Sequence, residues 1–62
     1  MTLGLQFYKY GKQGTFGDNP DPSPSYLDVV GKFEWDAWDS VRGMDKYEAR
    51  KKFLSISLPI LI

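Results

Sequence analysis

Sixty-two residues make one small domain at most, and a chain of this size hides only about 60% of its unfolded surface on folding. It has no cysteine and no histidine, which excludes a disulfide framework, a thiolate metal site and the commonest general base. Eight basic residues balance eight acidic ones, so no overall field recruits nucleic acid or a membrane surface, while 42% hydrophobic and 16% aromatic content is too rich for a disordered chain.

Leu3, Phe7 and Tyr10 recur at helical spacing, with Leu5, Tyr8, Lys9 and Lys12 on the adjoining face, and predict an amphipathic helix from Leu3 to about Gln13. Gly11 and Gly14 weaken its last turn, each by about 1 kcal/mol relative to alanine. From Thr15 to Tyr26 follows a long, stiff loop, because Pro20, Pro22 and Pro24 remove backbone donors and push their neighbours toward extended conformations. Asp28 is placed to cap a second helix. Trp35, Trp38 and Val41 form one apolar line on it, with Phe33 and Ala37 leading to Val41 in another, and Gly43 is expected to end it in a left-handed conformation. A third helix is expected from Asp45: Glu48 stands at capping-box spacing, and Met44 and Ala49 at staple positions. Ala49, Phe53 and Ile56 give its apolar spacing, and Pro59 is expected to stop it. The expected fold class is all-α, without internal repeats.

Met1 to Leu5 is too short an apolar run for a signal peptide, and the run from Phe53 to Ile62 falls short of the roughly 20 residues of a spanning helix. A cytoplasmic chain without a membrane span is the expectation.

Catalytic templates fit poorly. Asp36 and Asp39 share a helix face but read as solvated surface, and the loop Asp18-Asn19-Pro20-Asp21 lacks the alternating ligands and central glycine of a calcium loop. Gly31-Lys32 has no phosphate-loop context, since Tyr26 and Phe33 occupy the defining positions. No nucleophile–base pair can be assembled, so the chain reads as a binder rather than an enzyme, with no cofactor. Trp35 and Trp38 suit a ligand-stacking platform, but on the inner face of a helix they read first as core. Tyr8 and Lys12, at i and i+4, put an ammonium beside a phenol, a pairing that suits a phosphate attached to an aromatic base and equally suits a lysine lying over a solvated ring.

A resemblance decides between these readings. Tyr8-Lys9-Tyr10-Gly11-Lys12-Gln13-Gly14-Thr15-Phe16-Gly17-Asp18 resembles the YxxYKQAT(V/F)GD signature of the acyl-CoA-binding protein family. Gly31-Lys32-Phe33-Glu34-Trp35-Asp36-Ala37-Trp38 is similar to its GKAKWDAW signature, and Gly43-Met44-Asp45-Lys46-Tyr47-Glu48-Ala49 to the entry of its last helix. The three motifs occur in order over about Leu3 to Leu54.

The resemblance implies a helical bundle lacking the family's first helix, that is, three helices joined by a long proline-rich crossover between parallel helices. Residues 3–54 would be a partial acyl-CoA-binding domain and residues 55–62 a divergent apolar tail. It implies a long-chain fatty acyl-CoA ester as ligand, carried without reaction, with Tyr8 at the nucleotide end, Lys12 pairing with the 3′-phosphate region, and Lys9, Tyr10 and Gly11 completing the binding stretch. Three positions depart from the pattern. Gly11 replaces the second tyrosine, Glu34 replaces a lysine and turns attraction for phosphate into repulsion, and Phe53 replaces a tyrosine, keeping the ring and losing the hydroxyl. The alternative expectation is a degenerate three-helix fragment that binds a protein or itself through faces meant for the missing helix.

Overall fold

The second and third helices each begin where a side-chain carboxylate takes up a free backbone N–H group. The computed structural model describes the backbone of residues 3–61 and the side chains of residues 3–58, so Met1, Thr2 and the end of the expected apolar tail lie outside the described residues. Within them the chain forms α1 (Leu3–Phe16), α2 (Val29–Asp39) and α3 (Lys46–Leu61), with no strand. The Asp28 carboxylate accepts from the Gly31 N–H at 3.0 Å and starts α2. The Asp45 carboxylate accepts from the Tyr47 N–H at 3.0 Å, the second residue of α3 rather than the third.

Three helix ends differ from the sequence-based expectation. α1 does not end near Gln13 but runs to Phe16, because the glycine in its last turn lies against α3 and packing there outweighs its low propensity. The chain then leaves the helix at Gly17, whose φ of 84° favours glycine, with the Gly17 N–H still bonded to the Gln13 carbonyl at 3.0 Å. α2 ends at Asp39 rather than at Gly43: Val41 N–H to Trp38 and Arg42 N–H to Asp39, both at 3.1 Å, tighten the chain into turns before Gly43 reverses it at φ 87°. Pro59 does not stop α3, which continues to Leu61. Its fixed φ is helical, and so close to the end of the helix it removes a single donor, that to the Ser55 carbonyl.

α1 is the middle of the three. It packs against both α2 and α3, and among the described residues those two do not pack on each other. Tyr8 shares a cleft with Glu34, and Phe16 meets Trp38, so α1 and α2 run parallel. Gly14 meets Arg50 while Phe7 meets Phe53, so α3 runs back along α1. The principal extents of 38 × 22 × 13 Å leave a thinnest dimension of about one helix diameter. A single layer of helices buries little. The apolar core is Ala37, Trp38, Val41 and Ala49, whereas Phe33, expected on the same line as Ala37, is exposed, because burial on α2 is confined to its C-terminal half.

The crossover loop is held through its carbonyls by α2 and the turn that follows it. The Trp38 indole N–H donates to the Gly17 carbonyl and the Trp35 indole N–H to the Asp21 carbonyl, each at 2.9 Å, and Arg42 donates to the Asn19 carbonyl at 2.8 Å. These bonds give a proline-rich segment, poor in donors, the partners its backbone oxygens need. None of the described helices is long and apolar enough to cross a membrane.

Candidate functional site

The site is built on α1 and on what α2 and α3 bring to its two sides. Lys12 lies one turn after Tyr8 and one turn before Phe16, so all three share a face. Its Nζ stands 5.7 Å from the Tyr8 ring centroid, 5.2 Å from Phe16 and 5.7 Å from Trp38. Phe16 and Trp38 are themselves in contact, with centroids 6.2 Å apart. The ammonium is therefore held among three rings, an arrangement that attracts a cation through the negative ring faces. It makes no ion pair with any described residue. With Phe7, Tyr8, Gly11, Thr15 and Phe16 it lines a cleft of about 350 Å³.

Glu34 and Tyr8 come together on the α2 side, lining a second cleft of about 250 Å³ with Asp21, Trp35 and Trp38. Burial, then the carboxylates of Glu34 and Asp21, push the Tyr8 phenol above its ordinary value of 10.0. Gly11 and Phe53 meet on the α3 side, where with Tyr10, Gly14, Arg50 and Leu54 they line a groove of about 330 Å³. The Phe53 ring packs edge-on against Phe7 at 5.2 Å. Lys9 lies with its Nζ 5.0 Å from the centroid of the Tyr10 ring.

The structure thus distributes the expected site residues over three adjoining surfaces, except Lys9, which lines none of them. Tyr8 borders two of them, and Gly11 joins the Lys12 cleft to the Phe53 groove. Lys32 Nζ bonds Asp36 at 2.8 Å. Asp39 is likewise paired, with Arg42 at 2.6 Å, so the two α2 carboxylates belong to separate ion pairs. Among the described residues no cluster of acidic side chains is arranged to hold a metal ion.

Sequence reasoning missed Phe16 and Asp21 as walls of the site, and placed Trp38 in the core, where it lies while also walling a cleft. Phe16 was legible from the i+4 spacing after Lys12. Asp21 and the second role of Trp38 depend on how the crossover loop brings α2 alongside α1, a relation that no local pattern encodes.

The clefts stand on the same segments that carry similarity to known proteins. Residues 3–57 match the family described as Acyl CoA binding protein. The chain is 40% identical over 52 residues to Acyl-CoA-binding protein homolog 1 of Caenorhabditis elegans, an alignment that covers 84% of this chain and 60% of that protein. It is 39% identical over 51 residues to the human Acyl-CoA-binding domain-containing protein 4, covering 82% of this chain and 19% of that protein. Among solved structures, the acyl-CoA-binding protein of Moniliophthora perniciosa superposes with a TM-score of 0.89 at 46% identity, over 94% of this chain and 55% of that one. The chain spans less than two thirds of the length of each.

Proposed function

The chain belongs to the acyl-CoA-binding protein family, and on that premise we propose that it binds long-chain fatty acyl-CoA esters as a non-enzymatic carrier. The observation that supports this reading most is the position of Lys12. An ammonium without an ion-pair partner among the described residues, held among Tyr8, Phe16 and Trp38, stands in a cleft whose other walls are largely apolar. That suits an amphiphile with a phosphorylated nucleotide at one end and a hydrocarbon chain at the other. In this proposal Tyr8 meets the base, Lys12 pairs with a phosphate, Lys9, Tyr10 and Gly11 border the ligand, and Phe53 offers a stacking face without a hydroxyl. Glu34 opposes the phosphate.

Isothermal titration with palmitoyl-CoA below its micelle concentration tests the reading. One saturable site whose affinity falls as salt is added is the expected result, since phosphate pairing contributes to it. A chain that is helical by circular dichroism yet shows no saturable heat contradicts it.

A second reading has one observation in its favour. Tyr26, Leu27, Val29, Val30 and Phe33 form an almost continuous run, each more than half exposed, the kind of surface that marks association. On this reading the chain is a self-associating three-helix module. Sedimentation at several concentrations separates the two: a monomer that binds ligand supports the carrier, and a concentration-dependent oligomer that does not bind it supports the module.

A further inference from the structure

The neutral balance of the chain hides a segregation of charge. α1 and α3 hold six of the eight basic residues and one acidic residue, Glu48, whereas the other seven acidic residues lie on α2 and in the connecting segments. Because α2 and α3 flank α1 without packing on each other, the α3 edge of the layer is positive and the α2 edge negative. The two cations outside α1 and α3, Arg42 and Lys32, are paired with Asp39 and Asp36. Those of α3 are not paired: Lys46, Lys51 and Lys52 are exposed and make no ion pair with a described residue.

α3 also changes character along its length. Its basic residues all fall between Lys46 and Lys52, and from Phe53 to Ile62 the sequence carries no charge. Tyr47, Lys51, Leu54 and Leu58, spaced by four, three and four, form one line down the helix on the side away from the buried Ala49. Tyr47, Leu54 and Leu58 are each more than half exposed. The Lys51 Nζ stands 5.3 Å from the centroid of the Tyr47 ring, so cation and ring share one level of the helix and the leucines lie beyond them. That is the order met on passing from lipid headgroups into the acyl region. No described helix is long and apolar enough to cross a bilayer, which leaves the interface. A second copy of the chain would meet this edge with the same surplus of positive charge, whereas an anionic lipid surface meets it with the opposite one. We infer that the outward face of α3 docks on anionic phospholipid bilayers, with Leu54 and Leu58 entering the acyl boundary and Lys46, Lys51 and Lys52 meeting lipid phosphates. This interaction goes beyond the carrier reading and does not rest on it.

Flotation of the whole chain with vesicles tests the inference, comparing pure phosphatidylcholine with a mixture of about seven parts phosphatidylcholine to three parts phosphatidylserine. The chain should float with the mixed vesicles at low salt, and about tenfold more weakly with the neutral ones or in high salt. Leu54 borders the Phe53 groove, so Leu58 is the apolar position to alter. Leu58→Gln should weaken binding to the mixed vesicles about tenfold and Lys51→Gln about fivefold. Val30→Ser, on the exposed run of α2, should leave it unchanged. All three side chains are exposed, so the variants should keep the helical dichroism of the parent. No flotation with the mixed vesicles at low salt, or full binding in both folded α3 variants, overturns the inference. So does a loss of vesicle binding in Val30→Ser alone, or a lipid-free oligomer that Leu58→Gln dissolves in a chain that does not float. Palmitoyl-CoA titrated without vesicles should bind Leu58→Gln and Lys51→Gln as it binds the parent, so failure of the carrier reading and failure of membrane docking are read separately.

Discussion

Gly11 on α1 faces the ring of Phe53 on α3, so that a Cβ added at Gly11 would lie 3.4 Å from Phe53 Cε2. The two positions at which the site lacks a tyrosine are therefore in contact across one interface. Gly14, one turn along, has less room still: a Cβ there would fall 2.9 Å from Arg50 Cγ and 3.4 Å from the Arg50 backbone nitrogen. Arg50 also donates to the Gly14 carbonyl at 2.8 Å.

These two glycines should respond oppositely to alanine. Gly11→Ala gains helix propensity with a contact the Phe53 ring can accept, and should stabilise by up to about 1 kcal/mol. Gly14→Ala must push α3 away and lose the Arg50 bond, and should destabilise by about 1–3 kcal/mol. Urea denaturation followed by circular dichroism checks both signs, and a stabilised Gly14→Ala would show that α1 and α3 do not meet there.

Acid should loosen the junction between α1, the loop and α3. Asp18 Oδ1 accepts from Gln13 Nε2 at 2.9 Å and from the Gly43 N–H at 2.7 Å, and those bonds hold the carboxyl below its ordinary value of 3.8. A depressed folded value contributes stability that is fully present above the unfolded value and is lost as pH falls through the folded one. The parent should therefore lose stability below about pH 4 more steeply than Asp18→Asn, in which this carboxyl is absent. Equal slopes in denaturation curves taken across that range would contradict the role of Asp18.

Tyr8 should titrate above 10.0, because burial and the nearby carboxylates of Glu34 and Asp21 oppose its anion. The raised value also means that the stability tied to the neutral phenol, present below 10.0, is lost as pH rises through the folded value. Glu34→Gln should bring the Tyr8 ring resonance, followed by NMR against pH, back toward the ordinary value. An unchanged titration would place Glu34 outside the cleft.

The charge at position 34 should set ligand affinity in the opposite sense to that at position 12. Lys12→Ala removes a charge-assisted contact and should weaken palmitoyl-CoA about tenfold to a hundredfold. Glu34→Lys replaces repulsion by attraction and should tighten it by a similar factor at low salt, with the gain shrinking as salt rises. Isothermal titration of both variants gives the two signs.

How far the sequence anticipates this site depends on the range of the interaction. Asp28 and Asp45 announce helix starts through local chemistry, and Tyr8 with Lys12 announces a shared face through i+4 spacing, so both appear where the pattern puts them. The length of α1 is not local information. Gly14 reads as a weak point until Arg50, 36 residues away, is seen to lie against it. The Lys12 cage closes only when Trp38 arrives on α2, held by an indole bond to Gly17 across 21 residues. Phe33 fits the apolar period and is still exposed, because a helix packed on one neighbour covers only part of the stripe its sequence offers.

The most direct test of the account is an NMR map of backbone amide shifts on titration with palmitoyl-CoA below its micelle concentration. The account predicts saturable changes centred on Tyr8 to Lys12, Phe16 and Phe53, with those at Tyr8 to Lys12 lost in Lys12→Ala while the fold is kept. Saturable shifts confined to the exposed run from Tyr26 to Phe33, or none at all in a folded chain, would contradict the claim that Lys12 and the cleft beside Tyr8 are where the ligand is held.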